Sequence, residues 1–214
     1  MTALRSQLPE LRPFEPGTTG WSADDLNDPE IEKLWESGHY EIVEGVLTTM
    51  AAAYFQGGSA LYRVIRQFDS FRDAHGIKGD FGFEADLIVS ARRVARVDAA
   101  FLTPDDMERQ RLANLNHPRW GRKKLKYGRL LVPPTLIIES ISLGHESHDR
   151  ETKRGWFAEF GVPHYWIVDS FEHTLDCLTL REGKYEIDQS GRENDVLKPT
   201  LFTGLEIQLA KLWL

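Results

Sequence analysis

The spacing of apolar residues changes along the chain between the period of a helix and that of a strand. Helical spacing, with one apolar face, predicts helices over residues 23–36, 59–74 and 149–160. Continuous or alternating apolar runs predict strands over residues 81–89, 94–102, 135–142 and 164–169, and hairpins over residues 40–50 and 174–187. Leu205, Ile207 and Leu209 alternate with other residues near the end of the chain, which predicts one more strand.

The connections between these elements indicate an α/β fold. Glu44-Gly45 lies between the two halves of the first hairpin, where glycine tolerates a tight turn. A predicted helix separates strands 135–142 and 164–169, which favours a right-handed parallel crossover. We therefore expect a mixed β-sheet core flanked by helices, with an N-terminal helix and hairpin and a C-terminal hairpin.

The predicted elements do not begin until after residue 20. Residues 1–20 contain three prolines and no clear periodicity, which predicts a flexible lead-in. Residues 21–214 show no internal repeat and no clear linker, and we expect them to form a single domain. Within that domain, residues 103–130 have no clear period, and we expect an irregular, basic insertion there.

Composition narrows the class of protein. Hydrophobic residues make up 41% of the chain, enough for a substantial core. Cys177 is the single cysteine, so an internal disulfide and a thiolate zinc cluster are both excluded. We see neither an apolar run of the ~18 residues that span a bilayer nor a secretion signal. The expectation is a soluble, cytoplasmic protein with no membrane partner.

Charge is distributed unevenly along the chain. The net charge of −7 argues against a generally positive, nucleic-acid-binding surface. Residues 109–129 nevertheless contain several basic residues and no acidic one. This segment is either a solvated surface loop or an arm that contacts phosphates. The nucleic-acid-binding candidates are Arg119, Arg122, Lys123, Lys124 and Lys126.

Two acidic residues lie within strand-like apolar runs. Glu139 follows Leu136-Ile137-Ile138, and Asp98 stands between Val97 and Ala99. A buried carboxylate is costly unless it is paired or binds a metal. Glu139 belongs either to an edge strand that reaches water or an arginine, or to a metal site. Asp98 is either a salt-bridge partner or a second oxygen ligand, and Mg²⁺ would relieve the repulsion between the two acids.

Lys153 shares the apolar stripe of its predicted helix with Trp156, Phe157 and Phe160, at positions i, i+3, i+4 and i+7. Its ammonium group either extends outward to water, forms a simple helical pair with Asp149, or meets a buried acid. If the helix packs on the sheet face that carries Glu139, the ammonium reaches the metal site. His145 and His148 have the spacing of a zinc pair but lack a third confident ligand.

Four segments together resemble a known family. They are Tyr40-Glu-Ile-Val-Glu-Gly-Val-Leu, Val97-Asp98-Ala-Ala-Phe-Leu, Leu136-Ile-Ile-Glu139-Ser-Ile-Ser, and Asp149-x-x-x-Lys153 followed by Gly161-Val-Pro-His-Tyr-Trp-Ile-Val-Asp169. This order is similar to the Uma-two family of restriction-endonuclease-like proteins, in the PD-(D/E)XK nuclease superfamily. The resemblance extends from about residue 22 to the C-terminus.

The resemblance implies a chemistry for these residues. Asp98 and Glu139 would hold a divalent cation, Mg²⁺ or Mn²⁺, at a site that cleaves phosphodiester bonds. The superfamily's lysine two residues after the acid is replaced here by Ile141, and its role would move to Lys153. Glu41 matches the acid of the family's hairpin and would be an auxiliary catalytic residue or ligand. The histidine often found before the family's long helix is absent.

The sequence therefore predicts a Mg²⁺-dependent endonuclease acting on DNA, and a homodimer would allow it to cut both strands. The sequence leaves two alternatives open. One is a catalytically silent, nucleic-acid-binding relative of the same fold. The other is a protein-interaction module in which Glu139 and Lys153 form a structural ion pair.

Overall fold

The chain forms a large mixed sheet with helices on both faces. The computed structural model describes residues 12–50, 54–117, 128–144 and 146–213. The sheet strands are β1 (Tyr40–Val43), β2 (Val46–Thr49), β3 (Asp80–Ser90), β4 (Arg93–Leu102), β5 (Leu136–Ser140), β6 (His164–Asp169), β7 (Thr174–Arg181) and β8 (Lys184–Arg192). The helices are α1 (Pro29–Glu36), α2 (Phe55–His75), α3 (Pro104–Asn116) and α4 (Arg154–Phe160), and a π-helical turn (His148–Lys153) leads into α4.

The strand order confirms the predicted mixed sheet. It runs β2-β1-β4-β5-β6-β7-β8, and β3 pairs separately with β4. Strands β5 and β6 are parallel, as the predicted crossover requires, and the other adjacent pairs are antiparallel. Because β5 lies between β4 and β6, the alternative that placed Glu139 on an edge strand is wrong.

Two apolar clusters lie on opposite faces of the sheet. Helix α2 packs Val64, Ile65 and Phe68 against one face. Helix α4 packs Trp156 and Phe157 against the other. At the N-terminal end of the structure, α1 covers the β1–β2 hairpin in a third cluster. This sandwich of helices around a sheet is the arrangement that the family resemblance implies.

Helix boundaries follow local signals. The sequence predicts a helix over residues 23–36 in which Pro29 allows a break or a later start, and the structure has a 3₁₀ turn at Asp25–Asn27 followed by α1 from Pro29. Pro29 starts the new helix because its missing N–H costs nothing in the first turn, and the Asp28 side chain accepts from Glu30 N. Helix α2 ends before Gly76, whose φ of 66° is in the left-handed region, and this is the helix end that the sequence predicts.

The expectation of an irregular segment over residues 103–130 is wrong for its first half, which is helix α3. Thr103 and Asp106 form a reciprocal capping box, and Pro104 occupies the first turn. The helix buries polar side chains instead of an apolar stripe, since Gln110 and Asn114 hydrogen-bond the Arg129 carbonyl. Helical hydrophobic spacing is therefore absent, although the helix is well capped.

The C-terminal segment is less regular than its alternating pattern predicts. Only Ile207–Gln208 form a strand, β10, which pairs with β9 (Val196–Leu197). Leu209 begins a 3₁₀ turn, and Leu205, Ile207 and Leu209 are buried beside α2. Packing, and not a strand ladder, accounts for their apolar character. Among the described residues, no helix has both the length and the hydropathy needed to cross a membrane.

Candidate functional site

The site fills a gap in the sheet along one edge of β4. Strand β3 pairs along the other edge of β4, whereas β1 pairs with this edge at Val94 and β5 pairs with it from Ala99 onward. Between those points, the backbone groups of Arg96 and Asp98 that face the gap have no strand partner. Buried polar backbone groups must be paired, so the gap requires polar side chains.

Three charged side chains take the place of the missing strand. Glu41 Oε1 accepts from Arg96 N–H at 3.1 Å. Lys153 Nζ donates to the Arg96 carbonyl at 3.4 Å. The third contact joins the two acids of the sequence prediction, because Asp98 N–H donates to Glu139 Oε2 at 3.4 Å. The same side chains that suggest chemistry therefore also complete the hydrogen bonding of β4.

Lys153 is the centre of the ionic cluster. Its Nζ lies 3.1 Å from Glu41 Oε1, 3.2 Å from Glu139 Oε1 and 3.3 Å from Asp149 Oδ1. Only 2% of Lys153 is exposed, so the ammonium does not extend to water. The π-helical turn places Lys153 on the sheet face that Glu139 shares with Ile137 and Ile141. The simple Asp149 pair forms, but only as one part of this cluster.

His148 extends the cluster toward the surface. Its Nε2 lies 2.8 Å from Glu41 Oε2, and it donates because a carboxylate can only accept. The imidazole packs edge-on against Trp156, with ring centroids 5.8 Å apart. The sequence paired His148 only with His145, which lies outside the described residues, and the contact with Glu41 was missed.

Asp98 is directed into the site by an irregularity in two strands. Ala95 and Val97 pack in the cluster beside α4, whereas Ala99 and Phe101 pack in the cluster beside α2. Side chains of a regular strand at these positions would share one face, so the alternation of β4 reverses at Asp98. Ser140 N–H then donates to Asp98 Oδ2 at 2.7 Å and fixes the carboxylate.

Glu84 is the matching irregularity in β3. The β3–β4 ladder pairs Phe83 with Ala99 and Ala85 with Val97, and it skips Glu84 opposite Asp98. Glu84 has φ 47°, in the left-handed region. The other positive-φ, non-glycine residues of the described chain lie in turns between strands: Glu44, His173, Glu182 and Glu193. Backbone strain inside a strand is a feature that no pattern in the sequence revealed.

Burial dominates the electrostatics of the cluster. Burial raises the pKa of Glu139 well above its ordinary value, and Lys153 offsets this only in part. Burial also raises the pKa values of Asp98 and Asp149. Burial also acts to raise the pKa of Glu41, but Lys153 and His148 outweigh burial and hold that pKa below its ordinary value.

Lys153 responds in the opposite way. Burial alone would lower the pKa of its ammonium group, but Glu139, Glu41 and Asp149 outweigh burial and raise that pKa well above its ordinary value. Lys153 is therefore a permanent positive charge at neutral pH. One ammonium does not balance the surrounding carboxyl groups.

A cavity of about 570 Å³ opens onto the cluster. Its wall includes Glu41, Asp98, Glu139, Asp149 and Lys153, together with Arg96, His148, Glu84 and the apolar side chains of Val43, Met50, Tyr54, Leu61 and Phe83. The Arg96 guanidinium is already engaged by Asp86 and by the Gly38 carbonyl. The predicted phosphate-contacting residues Arg119, Arg122, Lys123, Lys124 and Lys126 lie outside the described residues.

Asp98 and Glu139 fit a magnesium ion better than a zinc ion. Within the described residues, no three His, Cys, Asp or Glu side chains are arranged as a metal-ligand set. Mg²⁺ needs fewer protein ligands, since one or two carboxylates together with water and substrate phosphate complete its coordination. The surplus of carboxyl groups over ammonium groups is the observation that favours a cation here, because a divalent ion would balance it.

The structure brings together residues that the sequence singled out far apart in the chain. Asp98, Glu139, Lys153 and Glu41 line one cavity and are linked by the contacts above. Their catalytic and metal-binding roles stay predictions. Glu84 and Arg96 were missed, and only the register of β4 reveals their place in the site.

The fold and the site together define a class of protein. A mixed sheet between helices, with two acids on adjacent central strands, matches the restriction-endonuclease-like α/β class that the sequence predicts, except that the lysine comes from the π-helical turn and not from β5. The chain belongs to the Uma2 family, described as putative restriction endonucleases, whose family model matches residues 29–210. The family predicted from the sequence is thus confirmed.

Solved structures support the fold. The structure resembles that of a putative nuclease belonging to DUF820 from Anabaena variabilis, with a TM-score of 0.59. The match covers 81% of this chain and 88% of that chain, at 13% sequence identity. At this identity the likeness shows the fold alone. No curated protein matches the chain.

Proposed function

We propose that this protein is a divalent-metal-dependent endonuclease that hydrolyses DNA phosphodiester bonds, with Mg²⁺ or Mn²⁺ held by Asp98 and Glu139. The observation that carries the proposal is the meeting of these two carboxylates with Lys153 in one cavity. Membership of a family of putative restriction endonucleases supports the same reaction class.

The two carboxylates are oriented by the protein itself. Ser140 N–H holds one oxygen of Asp98, while Asp98 N–H and Lys153 hold the two oxygens of Glu139. Groups that are fixed in advance do not lose binding energy to reorganisation. A divalent cation bound there supplies polarisation of the phosphate and activation of a water molecule.

Lys153 contributes charge and not base catalysis. Its pKa is raised well above the ordinary value, so it keeps its proton at neutral pH. Its ammonium group already has Glu41, Glu139, Asp149 and the Arg96 carbonyl as acceptors. It therefore orients Glu139 and stabilises negative charge on the phosphate, and Glu41 helps to position the ammonium.

Cleavage of plasmid DNA tests the proposal. We expect cleavage with Mg²⁺ or Mn²⁺ and none with a chelator. Asp98→Asn and Glu139→Gln should each lower the rate by more than about 100-fold, since losing even an outer partner of a metal costs up to that much. The matched control is Glu151→Gln. Glu151 is an exposed acid on the π-helical turn that carries Lys153, and it does not line the cavity. Mg²⁺-dependent cleavage at an unchanged rate in both Asp98→Asn and Glu139→Gln would contradict the proposal.

One observation favours the protein-interaction alternative. Lys153 and Glu139 form the direct, buried contact that a structural ion pair would make, 3.2 Å between Nζ and Oε1. The surplus of acids argues against it, because a purely structural pair needs no additional carboxylates. A DNA substrate, a homodimer, a cytoplasmic location and a phosphate-contacting arm stay predictions that accompany the nuclease proposal.

A further inference from the structure

Two aromatic rings lie on the wall of the acidic cavity and face solvent. Tyr54 is 46% exposed and Phe83 is 57% exposed. Isolated exposed apolar residues are ordinary on protein surfaces. These two share one cavity with Asp98, Glu139 and Lys153, so a substrate that reaches the acids also meets the rings.

Both rings are held in place by neighbouring side chains. Phe83 stacks with Phe81, with centroids 6.4 Å apart and an interplanar angle of 28°. Tyr54 packs edge-on against Phe171, with centroids 5.6 Å apart. Rings that are ordered before binding lose little conformational entropy when a ligand arrives, so they suit stacking recognition.

Free positive charge is scarce among the described residues of the cavity wall. Lys153 is buried among carboxyl groups, and the Arg96 guanidinium binds Asp86 and the Gly38 carbonyl. A nucleic acid gains affinity through its phosphates or through its bases. At the described part of this wall the bases have exposed partners, whereas the phosphates meet only the buried ammonium group of Lys153.

Stacking selects the state of the nucleic acid. In a duplex each base is covered on both faces by its neighbours, so a protein ring can stack only on a base that is unpaired or turned out. Glu139 is also recessed, since only 2% of it is exposed. A single strand enters such a cavity more readily than an intact duplex.

We infer that the cavity binds single-stranded or locally unpaired DNA, with bases beside the scissile phosphate stacked on Tyr54 and Phe83. This inference rests on the proposed nuclease function and names its substrate class. The rings provide affinity that does not depend on base sequence, because every base has a stacking face.

Binding is measured separately from cleavage, by fluorescence anisotropy with Ca²⁺ in place of Mg²⁺. The probe is a fluorescein-labelled DNA strand of mixed sequence, used alone and annealed to its complement. We expect tighter binding of the single strand. Tyr54→Ala and Phe83→Ala should each weaken that binding about tenfold, equal to about 1.4 kcal/mol, and Tyr54→Phe should keep it.

Tyr62→Ala is the matched control, because Tyr62 is 62% exposed on α2 and does not line the cavity. It should bind like the unaltered protein, and melting temperatures should show that all variants fold. Equal affinity for single strand and duplex, or no loss in either alanine variant, would overturn the inference. Duplex cleavage that requires Asp98 without a single-strand preference would leave the nuclease proposal standing. Ring-dependent binding of single strands without any cleavage would support the binding site and contradict the nuclease proposal.

Discussion

Lys153 is surrounded by more carboxyl groups than one ammonium group can balance. Glu41, Glu139 and Asp149 contact it directly, and Asp98 lies beside Glu139. Removing one member of this cluster should have unequal effects according to its sign, because a lost cation exposes the acids to one another whereas a lost acid relieves part of their repulsion.

This asymmetry is testable with two substitutions. Lys153→Met should lower the free energy of unfolding by about 3–5 kcal/mol, the cost of leaving a buried charge without its partner. Glu139→Gln should lower it far less, because the amide oxygen still accepts from Lys153 and the change loses only the longer contact with Asp98 N–H, 3.4 Å. Urea denaturation at neutral pH measures both values. Similar losses in the two variants would instead indicate a balanced structural ion pair.

Glu84 carries a backbone cost at its own position. A left-handed conformation costs a non-glycine residue about 1–2 kcal/mol, and glycine avoids that cost. We expect Glu84→Gly to be more stable than Glu84→Ala by about 1 kcal/mol in denaturant melts, since only glycine tolerates φ 47° without strain. The alanine variant controls for loss of the carboxylate. Equal stability of the two variants would mean that the strand relaxes away from this conformation.

At the scale of the element, α3 shows how a helix forms without an apolar stripe. Its first turn is held by Asp106, which accepts from Thr103 N–H, from Thr135 and from Arg109. Burial raises the pKa of Asp106, but the hydrogen bonds from Thr135, Thr103 and Arg109 outweigh burial and lower it below the ordinary value of 3.8. The helix therefore depends on an ionised carboxylate.

Asp106→Asn should lower the free energy of unfolding by about 1–3 kcal/mol at neutral pH, because charge-assisted bonds to buried donors are lost. An acid with a lowered folded pKa stabilises the fold above its unfolded pKa, and this contribution disappears as pH falls through the folded value. The difference between the unaltered protein and the variant should thus shrink below about pH 3.8. Denaturant melts across pH check this, and a difference independent of pH would contradict it.

Prediction of the elements from sequence succeeded where packing and pattern agree. Strand β6 has the predicted bounds 164–169, because both of its faces are buried and its apolar run is continuous. The turn at Glu44-Gly45 and the stop at Gly76 also agree, because positive φ depends on local residue type. α3 was missed because its buried face is polar, and the C-terminal strand was overestimated because buried apolar residues also occur in turns.

At the scale of the whole molecule, cation binding should couple to folding. A ligand that binds only the folded state stabilises it by about 2.7 kcal/mol at a hundred times its Kd. For a chain of this size that raises Tm by roughly 5–10 °C. We expect Mg²⁺ to raise the Tm of the unaltered protein and of Glu151→Gln, but hardly that of Asp98→Asn. Equal shifts in all three proteins would place the ion elsewhere.

The sequence by itself determined the α/β class, most strands, the family and the acids and lysine worth testing, because hydrophobic period and residue type are local properties. Only the tertiary structure decided that Glu41, Asp98, Glu139 and Lys153 meet, since their contacts depend on the gap between β1 and β5 along β4. The strain at Glu84 and the aromatic wall of the cavity also belong to the assembled sheet. Strand register brings distant residues together, and no short pattern along the chain encodes it.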